Sequence, residues 1–119
     1  MRMLSEDVAA AGQISVADVP HIAKAGFKSI VCNRPDGEGF GQTPYAEIEK
    51  AAKAAGLEIR YQPVHSRGLS AHDAEHLKTL LAELPRPLLL YCASGARSSI
   101  LYGMTQQPQG QPRSFGFFR

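Results

Sequence analysis

Residues 88–99 read Leu-Leu-Leu-Tyr-Cys-Ala-Ser-Gly-Ala-Arg-Ser-Ser, an apolar run that ends in a cysteine. The apolar run is typical of a buried strand, and the small residues and glycine after it predict a loop that leads into a helix. In α/β proteins, a strand–loop–helix arrangement presents backbone N–H groups to an anion. We therefore expect this segment to hold the site that the rest of the chain supports.

Helices and strands alternate before this segment. A short strand or extended lead-in is predicted over residues 4–14, and each predicted helix has its own start signal. Asp18 is the expected cap of the first helix, Pro44 the expected first residue of the second, and Ser70 with Asp73 the expected capping box of the third. The predicted elements are a helix over 18–25, a strand over 28–33, a helix from Thr43-Pro44 to Gly56, a strand over 57–64, and a helix from Ser70 to Pro85.

The last elements are a strand over 88–91 and a helix from near Arg97 to about Thr105. Pro108 and Pro112 prevent that helix from continuing, so residues 106–119 are predicted to be an irregular tail. Residues 1–105 are then a single domain of the α/β class, with a small parallel-type sheet flanked by helices.

Right-handed crossovers place the carboxyl ends of parallel strands at one edge of a sheet, where ligands bind in open α/β folds. Three segments that are distant in sequence should therefore meet there: residues 33–38, residues 65–67 and the loop that follows Cys92.

Composition narrows the function. A chain of 119 residues fits one domain, and a net charge of +2 with a pI near 8.7 is too mild to indicate nucleic acid but suits a small anionic substrate. Cys32 and Cys92 are expected to be free thiols, and neither a signal peptide nor a membrane span is recognisable. We expect a cytoplasmic protein that needs no cofactor and contacts no membrane, and a homodimer is left open.

The segment His72-Asp-Ala-Glu-His76 matches a zinc-peptidase pattern, which places two histidines on one helical face. It also opens a helix with a capping box, and a suitable third ligand is not evident. We interpret it as a solvated helix start and predict no metal.

Cys92 is the candidate nucleophile, because a thiolate is stabilised at a helix N-terminus and beside an arginine. Arg97 is the candidate anion clamp. Ser98 or Ser99 is expected to donate a hydroxyl hydrogen to the sulfur. Reading Cys92 only as a small buried residue leaves the glycine, arginine and serines that follow it unexplained. The predicted anion-binding loop comprises Ala93, Ser94, Gly95, Ala96 and Ser98.

The stretch Cys-Ala-Ser-Gly-Ala-Arg-Ser resembles the loops of cysteine-dependent phosphatases and of rhodanese-type sulfurtransferases. Together with Asn33-Arg-Pro-Asp-Gly-Glu38, Ala11-Gly-Gln13 and Gly26-Phe27, it is similar to the bacterial beta-lactamase hydrolase-like, phosphatase-like family (domain of unknown function 442) over about residues 8–104. The resemblance implies a phosphatase-like fold with Cys92 as nucleophile and Arg97 as anion clamp. Members are sometimes fused to a metallo-hydrolase or a persulfide-oxidising domain.

The reaction is less determined than the site. The spacing is Cys-x4-Arg, as in rhodaneses, whereas tyrosine phosphatases have Cys-x5-Arg. Phosphatases also carry an aspartate about thirty residues before the cysteine as general acid, and this chain has no carboxylate there. His65 or Asp36 is the candidate acid. Asp36 and Glu38 are each a candidate acid, water ligand or partner of Arg97, and Arg34 is a candidate anion ligand or partner of Glu38.

We therefore predict hydrolysis of a phosphate ester through a cysteinyl phosphate on Cys92. A rhodanese-like sulfurtransferase with a Cys92 persulfide is the alternative, and a non-catalytic anion-binding module is the second alternative.

Overall fold

The computed structural model describes residues 1–107, in which two successive strands are followed by alternating helices and strands. Five strands and four helices lie in this range. They are β1 (Arg2–Met3), β2 (Val8–Ala11), α1 (Asp18–Lys24), β3 (Ser29–Cys32), α2 (Tyr45–Ala54), β4 (Glu58–Tyr61), α3 (Ala71–Glu83), β5 (Leu88–Tyr91) and α4 (Ala96–Thr105).

The sheet has the strand order β1-β2-β5-β3-β4, with β5 at its centre. Strands β2, β5, β3 and β4 are parallel, and only β1 is antiparallel to its neighbour β2. Leu88 is in register with Val8 on one side and with Ser29 on the other. The predicted α/β class with a small parallel-type sheet is confirmed, and the run that ends at Cys92 is its central strand.

Side chains of β5 alternate between two cores, one on each face of the sheet. Leu89 and Tyr91 pack with residues of α1 and α2, whereas Leu88 and Leu90 pack with residues of α3 and α4. All four are at most 1% exposed. A strand that is covered by helices on both faces must be apolar at every position, which explains the uninterrupted Leu-Leu-Leu-Tyr.

Two predicted helix starts are wrong in detail. Asp18 is the first helical residue of α1 rather than its cap, and it exchanges hydrogen bonds with Ser15: the Asp18 N–H donates to Ser15 Oγ (3.2 Å) and the Ser15 N–H donates to Asp18 Oδ2 (2.8 Å). Pro44 precedes α2 as its cap, because its ψ of 149° is extended rather than helical. The capping box of Ser70 and Asp73 is confirmed at the start of α3.

Strand β1 was not predicted, because two exposed residues carry no periodic pattern. Helix α4 ends at Thr105 as expected, and Gln106 caps it. Most of the predicted tail, residues 108–119, lies outside the described residues. Along residues 1–107, no helix combines the length and the apolar character that crossing a membrane requires.

Candidate active site

Cys92 lies directly after the central strand, in a loop that folds back over its sulfur. The side chain is nearly inaccessible, with the residue 1% exposed. The backbone N–H of Gly95 donates a hydrogen bond to Sγ over 3.0 Å. Gly95 has a φ of 94° and immediately precedes α4, so the turn uses a conformation that side chains disfavour. The glycine of the motif is therefore required for the loop to close on the sulfur.

The turn after β2 supports this loop from the neighbouring strand. The Cys92 N–H donates to the Ala11 carbonyl (3.2 Å), and the Gln13 N–H donates to the Ala93 carbonyl (3.1 Å). A Cβ on Gly12 would lie 3.0 Å from that same Ala93 oxygen, so the two backbones approach too closely for a side chain. The segment Ala11-Gly-Gln13, which contributed only to the resemblance, is thus part of the site.

The surroundings of Cys92 favour its ionised form. Burial acts against the thiolate, but the backbone N–H and hydroxyl of Ser98, with the N–H groups of Gly95 and Ser94, outweigh burial and lower the pKa of the Cys92 thiol. Ser98 is fully buried, and its Oγ lies 2.8 Å from Asn33 Oδ1. The Ser98 hydroxyl therefore lies within reach of the sulfur but donates its hydrogen to Asn33 in this structure.

The other predicted loop residues serve the loop itself. The Ser99 hydroxyl donates to the Gly95 carbonyl (2.8 Å), and the Ala96 N–H donates to Ser94 Oγ (3.3 Å). Of the two serines proposed as hydroxyl donors to the sulfur, Ser99 is therefore bound to the backbone, whereas Ser98, which donates to Asn33, also contributes to lowering the pKa of the Cys92 thiol.

Arg97 is held from two sides and keeps one edge of its guanidinium open. Its Nη1 and Nη2 donate to the Glu38 carboxylate (2.7 and 2.8 Å), and Nη1 also donates to the Val64 carbonyl (3.0 Å). Along residues 1–107, Nε–H and the second Nη2–H have no hydrogen-bond partner. These two donors lie on the same edge, which is the edge that binds an oxyanion through two parallel hydrogen bonds.

Glu38 connects Arg97 to a second arginine. Arg34 Nε donates to Glu38 Oε1 (3.0 Å), and Arg34 Nη1 donates to Gln13 Oε1 (3.0 Å). Hydrogen bonds from Arg97, and then from Arg34, lower the pKa of Glu38 to about 2. Of the options for these residues, the structure shows Glu38 as the partner of Arg97 and Arg34 as the partner of Glu38. Gln13 was not predicted as a site residue, because its side chain becomes relevant only through this contact.

The two candidate acids are not joined to this centre. Asp36 Oδ1 accepts from the Tyr45 N–H at the start of α2 (2.8 Å), and the Asp36 N–H donates to the Tyr61 hydroxyl (2.9 Å). His65 is exposed and follows Val64, whose carbonyl holds Arg97. Both residues lie at the predicted sheet edge, yet no hydrogen bond within residues 1–107 links either side chain to Cys92 or Arg97.

The second cysteine belongs to the core on the other face. Cys32 is in register with Tyr91 and packs in the same cluster, and its thiol donates to the Arg34 carbonyl (3.3 Å). Burial raises the pKa of Cys32. Both cysteines are free. His72 and His76 are exposed on α3, and no three metal-ligating side chains come together within the described range.

Comparisons with known proteins identify the family of this chain. A family model described as the phosphatase-like domain of beta-lactamase hydrolase-like protein matches residues 1–109. A beta-lactamase hydrolase-like protein from Agrobacterium fabrum is 33% identical over 108 residues, and one from Xylella fastidiosa is 29% identical over 108. The match takes in 91% of this chain but only 25% of each relative, so the chain spans about a quarter of their length.

Several solved structures are similar to this chain in fold. A phosphatase-like protein from Neisseria meningitidis Z2491 is 36% identical with a TM-score of 0.84, covering 93% of this chain and 79% of that one. A phosphatase-like protein of the domain-of-unknown-function 442 family from Shewanella putrefaciens CN-32 (19% identical, TM-score 0.76, covering 92% of this chain and 68% of that one) shares the fold. The tyrosine phosphatase Tk-PTP (17%, TM-score 0.56, 79% and 62%) also shares it. This chain belongs to the phosphatase-like domain family of the beta-lactamase hydrolase-like proteins.

Proposed function

We propose that this domain hydrolyses a phosphate ester, with the Cys92 thiolate as nucleophile and a cysteinyl phosphate as intermediate. The observation that carries the proposal is the pairing of two features at one loop. The Cys92 sulfur accepts hydrogen bonds that lower its pKa, and Arg97 keeps a two-donor edge open. Membership of a phosphatase-like family supports an enzyme of the hydrolase class.

In the first step, the Sγ lone pair forms a bond to phosphorus. The bond from phosphorus to the ester oxygen breaks, and its electron pair leaves with that oxygen. Arg97 binds two of the remaining phosphoryl oxygens through Nε–H and Nη2–H and offsets their charge. Glu38 fixes the plane of the guanidinium through its two hydrogen bonds, so the clamp does not need to reorganise.

In the second step, a water oxygen forms a bond to phosphorus while the sulfur–phosphorus bond breaks. The electron pair returns to Sγ, and the two hydrogens of the water remain with the product, dihydrogen phosphate. The donors that lower the pKa of Cys92 stabilise the returning thiolate, so the same groups assist attack and departure of the sulfur.

Replacement of Cys92 tests this mechanism, and the other cysteine supplies a matched control. We expect Cys92→Ser to lose hydrolysis of an aryl phosphate down to the rate without enzyme, and Cys32→Ser, altered on the opposite face of the sheet, to retain it. Intact-mass measurement of acid-quenched wild-type protein should show a fraction heavier by one phosphoryl group. Full activity of Cys92→Ser would contradict the proposal.

Thiosulfate with cyanide, offered in parallel, separates the sulfurtransferase alternative. We expect thiocyanate formation no faster than in the absence of protein. Cys92-dependent thiocyanate production without hydrolysis of the aryl phosphate would replace the proposal with sulfur transfer. Phosphate binding without turnover of either substrate would leave only an anion-binding module.

A further inference from the structure

We propose that the leaving group departs from phosphorus as a free anion, with no proton donated by the protein. The substrates are accordingly phosphate monoesters or anhydrides of weakly basic oxygen, such as aryl and acyl phosphates, rather than esters of simple alcohols. This inference rests on the proposed function and specifies the class of substrate that the Cys92 site accepts. It follows from the hydrogen bonds that the two carboxylates at the sheet edge, Glu38 and Asp36, already accept.

The need for an acid depends on the leaving oxygen. The pKa of a phenol is about 10, whereas an alcohol is a far weaker acid, comparable to water. Positioned proton donation typically contributes about 10²–10⁴-fold to the rate, and it matters most where the departing oxygen is strongly basic. An active centre without a positioned acid therefore discriminates against alkyl esters.

Glu38, the carboxylate in contact with the Arg97 guanidinium, is held in its ionised form. Both of its oxygens accept hydrogen bonds from Arg97, and Oε1 also accepts from Arg34. Protonation of Glu38 would remove a carboxylate oxygen as acceptor for Arg97 or Arg34. Its pKa of about 2 leaves almost no protonated form at neutral pH. Glu38 therefore orients Arg97 and has no proton to give.

The Asp36 carboxylate is used as a hydrogen-bond acceptor at the start of α2. Its Oδ1 accepts from the Tyr45 N–H, one of the backbone donors that the first helical turn leaves unpaired. The Asp36 N–H donates to the Tyr61 hydroxyl. The ring of Tyr61 stacks on the ring of Tyr45, with 4.5 Å between the ring centroids. Rotation of Asp36 toward Cys92 would leave this helix start without its side-chain acceptor.

The remaining groups bonded to the centre are not acids near neutral pH. They are the amides of Gln13 and Asn33, the hydroxyl of Ser98 and the two arginine side chains. Hydrogen bonding to Glu38 raises the pKa of Arg97 further. His65, at the same edge, forms no hydrogen bond to any of them along residues 1–107.

A series of aryl phosphates with leaving phenols of graded pKa tests the inference. The value of kcat/KM reports the step that breaks the ester bond, so it is plotted against the pKa of the phenol. We expect kcat/KM to fall about tenfold for each unit of rising phenol pKa, because negative charge develops fully on the departing oxygen. An alkyl phosphate should not be turned over above the rate of Cys92→Ser.

Two variants identify an acid if one exists. Asp36→Asn keeps the oxygen that accepts from Tyr45, and His65→Gln retains a polar exposed side chain. We expect the slope of the plot to be the same in both variants as in the wild type. A slope in the wild type shallower than about twofold per unit would overturn the inference, and so would a slope that steepens in either variant.

The outcomes also separate this inference from the proposed function. Cys92-dependent turnover with a shallow slope refutes the unassisted leaving group but leaves the cysteinyl phosphate mechanism intact. Turnover of no member of the series, or turnover that Cys92→Ser retains, refutes both.

Discussion

Two adjacent serines at the start of α4 have different partners, and this difference sets their expected roles. The Ser98 hydroxyl lies between Asn33 Oδ1 and the Cys92 sulfur, whereas the Ser99 hydroxyl donates to the Gly95 carbonyl. A hydroxyl has one hydrogen, so Ser98 donates to Asn33 or to the sulfur but not to both. Ionisation of Cys92 turns the sulfur into the stronger acceptor and favours donation to it.

Removal of the Ser98 hydroxyl should therefore raise the pKa of Cys92. We expect Ser98→Ala to shift this pKa upward, because a hydrogen bond to a charged group contributes about 1.5–3 kcal/mol and its loss leaves only the backbone donors to the sulfur. The rate of alkylation by iodoacetamide as a function of pH measures this shift. Ser99→Ala is the matched control and should leave the midpoint in place. An unchanged midpoint in Ser98→Ala would show that the backbone donors suffice.

Individual residues of the site were predictable to different degrees. Cys92, Gly95 and Arg97 follow from one continuous motif, since strand, turn and helix are local signals. Asp36 and Glu38 share one loop, and sequence alone could not decide which carboxylate meets Arg97, because that depends on a contact 59 residues apart in sequence. Pro-Asp-Gly is a turn signal in its own right, and Asp36 proved to serve the start of α2.

Hydrogen bonds join the loops that follow β2, β3 and β5 into one ring. The backbone of Gln13 bonds to Ala93, the Gln13 side chain to Arg34, and Arg34 through Glu38 to Arg97. Arg97 lies four residues after Ala93 in the chain, which closes the ring. Because parallel strands bring these loops to one edge, contacts between the three loops fix the position of Arg97, the proposed clamp.

Arg34 is joined to Arg97 through Glu38 in this ring, so its loss should loosen the proposed anion clamp without altering Cys92, the proposed nucleophile. We expect Arg34→Gln to lower kcat/KM for an aryl phosphate about ten- to a hundredfold, since small misplacement of a binding group has effects of that order. The alkylation midpoint of Cys92 should stay close to that of the wild type.

A second arginine provides the control for this variant. Arg60 on β4 pairs with two glutamates, Glu58 and Glu83, and lies outside the ring. Arg60→Gln should retain wild-type kcat/KM. If Arg34→Gln also retained it, Glu38 and the Val64 carbonyl would suffice to hold Arg97 without Arg34.

At the scale of the whole molecule, the sequence predicts the α/β architecture more reliably than the short strand at the edge of the sheet. Alternation of helices and strands indicates a parallel sheet, and the uniformly apolar 88–91 run indicates its buried centre. The antiparallel β1 could not be predicted, since it depends on pairing of Arg2 with Ala10 rather than on any pattern of its own. Segment 4–14, expected as a short strand or lead-in, supplies β2, which pairs directly with β5.

The Glu38 ion pairs also link the pH dependence of folding to the site, because they join the loop before α2 to α4. The pKa of this carboxyl falls from an ordinary 4.5 to about 2 on folding, chiefly through Arg97. A lowered carboxyl pKa stabilises the fold above the unfolded pKa, and the contribution is lost as pH falls from about 4.5 toward 2. We expect Glu38→Gln to be less stable than the wild type at neutral pH, with the two urea midpoints converging near pH 2.

Glu6→Gln, altered at an exposed position near the amino terminus, is the control and should follow the wild-type curve of stability against pH. A constant difference between Glu38→Gln and the wild type at every pH would instead assign the effect to lost hydrogen-bond geometry, independent of the charge on Glu38.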